Sequence, residues 1–211
     1  MSRDLHAILA DVRGHSEGLR RGNRDSFSHW KRLANLLLHL TVAPANQGVG
    51  LTSWAEDERK ADLVGFGRHP LRLRNGKYLW VYQTLAILDD PAGKGPRLKV
   101  VSAGYQYQRD RDGDQWLFRF DYLRIPPAPH PGAHVQVRAE PLEPGLVPEG
   151  RTLERIHFPT RRISLEAVIR LLIEDFGIRP AVPAAIWRPV LMESERLFRS
   201  IAHEPAAGPD V

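Results

Sequence analysis

The run YLWVYQTLAIL at residues 78–88 constrains this chain more than any other segment. It is almost wholly apolar and rich in aromatic and β-branched side chains, which suit a pleated surface. It follows Asn75-Gly76, the strongest short hairpin signal, because a type I′ turn needs two residues that tolerate positive φ. A strand of this kind, joined to a partner over residues 71–74, belongs in the middle of a sheet. The loop at 89–96 (DDPAGKGP) ends it. Strands over 97–109 and 114–125 then form a second hairpin around Asp110-Arg111-Asp112-Gly113. A Pro-rich connector at 126–132 leads to a short strand at 134–139, and a second Pro/Gly loop spans 141–150.

Both flanks change period from 2 to 3.6. Leu5, Ile8, Leu9, Val12 and Leu19 fall on one helical face, which Gly22-Asn23 ends. Ser26 is read as the N-cap of a second helix with Phe27, Trp30, Leu33, Leu37 and Leu40 on its stripe. Residues 51–67 are ambiguous, and the charged run 56–60 reads as a solvated turn. Near the carboxy terminus Ser164 caps a helix carrying Leu165, Val168, Ile169, Leu172 and Phe176, with Gly177 at its C′ position. Pro189 fits the first turn of a last helix. The expected fold is α+β. It has two helices in 1–42, an antiparallel meander of four to five strands in 68–140, and C-terminal helices in 164–203 covering the sheet. These make one domain over 1–204, followed by a flexible tail at 205–211.

A chain of 211 residues buries a core without staples. It has no cysteine, which removes disulfides, thiolate zinc sites and cysteine nucleophiles. No apolar run approaches the roughly 20 residues of a membrane span, and the amino terminus carries charges throughout. The expectation is therefore a cytoplasmic protein without a membrane partner. Walker loop, Gly-x-Gly-x-x-Gly, His-Glu-x-x-His, Gly-x-Ser-x-Gly and calcium-loop motifs are all missing, so no cofactor is expected. The net charge of +5 is unevenly spread. Residues 68–124 hold 11 basic and 6 acidic side chains, while the two flanks cancel. Arginine supplies 25 of the 30 cations, and its planar fork suits phosphate. A genome bias toward arginine would give the same count, and a nucleic-acid surface is the functional reading.

A candidate site follows from strand alternation. A two-residue turn at Asp112-Gly113 pairs residues whose numbers sum to 225, so Tyr107 faces Phe118 and Tyr105 faces Phe120. Tyr105, Tyr107, Trp116, Phe118, Phe120 and Tyr122 then share a core face. Gln106, Arg119 and Asp121 point the other way. In the next strand Val135, Val137 and Ala139 point in, while His134, Gln136 and Arg138 point out. If the strands are neighbours, Arg119, Asp121, His134, Gln136 and Arg138 gather on one polar face.

His134 oriented by Asp121 could act as acid or base on RNA, with Arg119 and Arg138 holding the phosphate. The bland alternative is a solvated sheet face with Arg119 and Asp121 as an ordinary ion pair. A metal held by His130, His134, His157 and Asp121 is the weaker option, since their spacing fits no standard motif. His157, Arg161 and Arg162, just ahead of a helix N-terminus, form a second candidate anion site.

Tyr105-x-Tyr107, then Trp116-Leu117-Phe118-Arg119-Phe120-Asp121-Tyr122, a Pro-rich linker and His134 together resemble the TumE-type family of bacterial toxin–antitoxin pairs, over about 105–140. That resemblance implies a toxin-like protein and points to Arg119, Asp121 and His134. Gln136 stands where the family's second histidine is expected, and the amino-terminal helices are additional. The expected function is RNA binding or metal-free RNA cleavage, with RNA and a cognate antitoxin as partners. The alternative is a non-enzymatic protein–protein module that docks through apolar residues exposed on the terminal helices, such as Leu19 or Leu40.

Overall fold

The computed structural model describes residues 4–54, 57–89, 95–138, 156 and 158–202. Helices α1 (Leu5–Arg20) and α2 (Arg24–Leu40) come first. Strands β1 (Val49–Trp54), β2 (Asp57–Gly65), β3 (Leu71–Arg72), β4 (Tyr78–Asp89), β5 (Pro96–Gln108), β6 (Trp116–Leu123), β7 (Ala133–Val137) and β8 (Phe158–Pro159) follow. Helices α3 (Leu165–Glu174) and α4 (Ala184–Ala202) close the order. The sheet is antiparallel in the order β1-β2-β4-β5-β6-β7-β8, with β3 pairing only to β4.

The α+β class is as expected, but the sheet is larger than a meander of four or five strands. Residues read as an ambiguous charged segment form the β1–β2 hairpin instead. Within β2, Ala61 and Leu63 are buried while Glu58 and Arg59 are exposed, so all its charges but Asp62 crowd its first four residues and hide the alternation. The helical layer also differs from the expectation of C-terminal helices alone. Trp30 of α2 stacks on Phe198 of α4 with ring centroids 4.3 Å apart, so both helix pairs share the core against the sheet. Leu19 and Leu40, expected as exposed docking residues, are 0% and 4% exposed. They belong to the stripe that any amphipathic helix buries first.

Local signals were read with mixed accuracy for identifiable reasons. Asn23, not Ser26, is the N-cap of α2, and Ser26 occupies the third helical position of a capping box. Pro189 lies inside α4, because Pro183 already opens that helix by accepting from Ile186 and Trp187. The Asn75-Gly76 turn is a hairpin, but only Gly76 has positive φ (80°), with its N–H donating to the Leu73 carbonyl. That is a three-residue loop closed by a glycine bulge, not a type I′ turn. Ser164 does cap α3, accepting from the Ala167 N–H at 3.1 Å.

A polar chain ties the two layers together. Trp30 donates to Gln83 Oε1 at 2.6 Å, and Gln83 donates to the Tyr105 hydroxyl at 2.6 Å. All three side chains are buried, so each finds its partner within the protein. At the sheet's first edge, Asn35 of α2 donates to the Val49 carbonyl at 3.0 Å and accepts from the Val49 N–H at 2.8 Å. A Cβ at neighbouring Gly48 would stand 2.6 Å from the Asn35 oxygen, so only glycine admits this side chain.

Candidate functional site on the open sheet face

The register that builds the site is the expected one. From Ser102↔Leu123 to Tyr107↔Phe118, β5 and β6 pair with numbers that sum to 225. The turn is longer than two residues, however. Arg109 N–H bonds to the Gln115 carbonyl, and the Asp110 carboxylate accepts from the N–H groups of Gly113, Asp114 and Gln115. Desolvation opposes them, yet the three backbone donors hold the Asp110 carboxyl below its usual range. An extra residue in β6 compensates for the longer turn and restores the count. The bulge also sets Trp116 opposite Gln108, so Trp116 leaves the aromatic core face on which alternation had put it. Tyr105, Tyr107, Phe118 and Tyr122 are buried there as expected.

Strand β7 lies beside β6, pairing Arg119 with Gln136 and Asp121 with His134. The polar side chains do meet. Arg119 Nε donates to Asp121 Oδ2 at 2.7 Å, and its Nη2 donates to Gln136 Oε1 at 2.5 Å. His134 Nε2 stands 3.6 Å from Asp121 Oδ2, an ion-pair rather than a hydrogen-bond distance. The face is not evenly solvated. His134 and Gln136 are 6% and 7% exposed, while Arg119 and Asp121 keep 43% and 28% of their side chains in contact with solvent. Arg138 is exposed and donates to the Asp114 carbonyl.

The other sequence candidates lie apart from this cluster. Arg162 is on the opposite, helix-covered side, its guanidinium 4.7 Å from the Tyr122 ring centroid and 5.6 Å from that of Phe198. Burial lowers its pKa from the ordinary arginine value. Arg161 is exposed beside it, and His157 lies outside the described residues. The His130 ring is 5.7 Å from that of His134, but no group of three histidines or carboxylates among the described residues is placed to hold a metal ion.

The sequence reading missed the aromatic side of the site. Tyr78, Trp80 and Tyr82 alternate along β4 on the same face as Gln106 and Arg119, and all three are half-buried rather than core. A cavity of about 400 Å³ opens on that face, between Trp80 and Tyr82 on one side and Arg119 and Asp121 on the other. Arg111 of the β5–β6 loop stands at its rim, and Gly104 lies on its floor. A second hollow of about 280 Å³ continues past Tyr78 and Arg111 to Arg72, His69 and the 80% exposed Phe66. The alternation of β4 was available in its sequence, but every residue on both faces is apolar or aromatic except Gln83, Thr84 and the terminal Asp89. Hydrophobicity alone therefore could not separate the two faces.

On the helical side a wider groove of about 760 Å³ is lined by Asp11, His15, Arg32, Leu36, His39 and Ile186 among others. His15 Nδ1 lies 3.3 Å from His29 Nδ1 there. Burial, then the nearby His29 and Arg32, lower the His15 pKa below the ordinary histidine value. No helix among the described residues is long and apolar enough to cross a membrane. No family model, curated protein or solved structure matches the chain.

Proposed function

We propose that this is a toxin-like RNA-binding protein that holds single-stranded RNA across the open sheet face. The observation that carries the reading is the row Tyr78, Trp80 and Tyr82, half-buried on the open face beside Arg119 and Arg111. Single-stranded RNA is recognised by bases splayed onto aromatic side chains, with cations along the backbone. A β-sheet presents such rings at every second residue, which suits successive bases. The basic excess of residues 68–124 supports the same reading, with Arg72, Arg74, Arg109 and Arg111 exposed near the β3–β4 and β5–β6 turns.

Binding is favoured over cleavage by the state of the histidine. A general base must come within hydrogen-bond reach of the 2′-hydroxyl. His134 is buried beneath Asp121, and the Asp121 oxygen nearest to it already accepts from Arg119. The toxin class rests on the resemblance carried by β5, β6 and β7.

The test is a titration of fluorescent single-stranded RNA at two salt concentrations, comparing wild type with Trp80→Ala and Arg119→Ala. Stacking loss of about 1–3 kcal/mol is expected for Trp80→Ala, at either salt concentration. Wild-type affinity should fall with salt, less steeply once Arg119 is removed. Salt-insensitive binding, or binding untouched by both substitutions, would overturn the reading.

A further inference from the structure

Gly104 sits in the middle of a thirteen-residue strand, where glycine weakens pairing and packs nothing. Its backbone does not need glycine, because its φ lies outside the positive range. Space does not need it either. A Cβ there would meet Asp121 Oδ1 at 3.5 Å, an ordinary contact. What the missing side chain leaves is a gap between Tyr82 and Asp121, which flank Gly104 on the neighbouring strands. Its register with both neighbouring strands is regular there, so it marks no bulge, and close approach by a ligand is the reason for glycine that fits a gap beside polar atoms.

The polar atoms around the gap are specific. Asp121 commits Oδ2 to Arg119 and leaves Oδ1, the atom nearest the gap, without a hydrogen-bond partner among the described residues. Arg119 uses Nε and Nη2 and leaves Nη1 unused. Gln106 donates through Nε2 to Gln108, which leaves its Oε1 as an acceptor. The cavity therefore offers one cationic donor and two acceptors beside an aromatic wall. Guanine presents the complementary edge, O6 as acceptor with N1–H and N2–H as donors. Cytosine and adenine each offer only an exocyclic amine as donor, and uracil offers one N–H between two acceptors.

We infer that the cradle over Gly104 is a guanine-selective pocket, with Asp121 and Gln106 accepting from the base and Arg119 donating to it. This rests on the RNA-binding reading for its place in a longer ligand, but the pocket is testable without it. One arm measures binding of uridine octamers that carry a single central G, A or C. The other measures calorimetric binding of the four free nucleoside monophosphates.

The expected result is a preference for the G octamer and for GMP of roughly five- to a hundredfold, the range a paired base edge supplies. Gly104→Ala and Asp121→Asn should each erase that preference, and a wild-type melting temperature for Gly104→Ala should show that it folds, since the added methyl meets only ordinary contacts. Octamers bound equally whatever the central base, together with GMP bound no better than AMP, would overturn the guanine inference and leave RNA binding standing. GMP selectivity without octamer binding would uphold the pocket and sink the RNA reading.

Discussion

Burial pushes the Glu166 and His15 side chains toward their neutral forms. Glu166 is fully buried, and its Oε1 accepts from the Ser194 hydroxyl at 2.6 Å. Burial raises its pKa, with the Ser194 hydrogen bond opposing. A raised folded-state pKa means the neutral carboxyl's contribution is complete below the ordinary glutamate range. It is then lost as pH rises through the folded value. Glu166→Gln keeps the shape and removes the ionisation, so it should raise the melting temperature at pH 8 and change it little near pH 4. Thermal scans across that range check the sign. His15 works from the opposite side. Its lowered pKa favours the neutral ring, so its contribution is present above the ordinary histidine value and lost as pH falls through the folded one. His29→Asn, which removes the facing imidazole at 3.3 Å, should make the stability curve flatter between pH 7 and 5. A curve as steep as wild type would place the acid sensitivity elsewhere.

Buried hydrogen bonds join elements here, and the chain through Trp30, Gln83 and Tyr105 links α2 to β4 and β5. Tyr105→Phe would leave the Gln83 amide without its acceptor inside the core, at a cost of about 1–3 kcal/mol, measurable by urea unfolding. Loss of less than a few tenths would mean that Gln83 finds another partner.

Element identity was legible wherever period and punctuation agreed. The four helices, the β5–β6 register and the β6–β7 pairing all follow from alternation and caps. The β1–β2 hairpin was hidden because charges at 57–60 interrupt its apolar pattern, though those side chains lie at its solvent end. The site was half legible for a related reason. Arg119, Asp121 and Gln136 stand out as polar residues on an apolar strand pattern, whereas Trp80 and Tyr82 look like core until a sheet of known order shows which face they take. His134 was read onto the correct face, but its burial depends on long-range packing that no local pattern reports.

At the scale of the whole molecule, a helical layer covers one side of the sheet and the aromatic, cationic side stays open. That division requires the sheet to stop where it does, and the strand at its first edge, VGLTSW, bears no charge or proline to discourage further pairing. Asn35 serves that purpose at Val49. Asn35→Ala should lower stability by about 1–3 kcal/mol through the two lost bonds and let the protein self-associate at high concentration, which sedimentation would detect. Sedimentation unchanged from wild type would show that the edge is guarded by other means. The clamp also makes the molecule's solubility depend on tertiary order. A sheet with one bare face and an uncharged first edge could polymerise through its rim whenever α2 loosens. On that account colloidal stability would follow the docking of a single helix, and a lesion anywhere along α2 would first be noticed as turbidity.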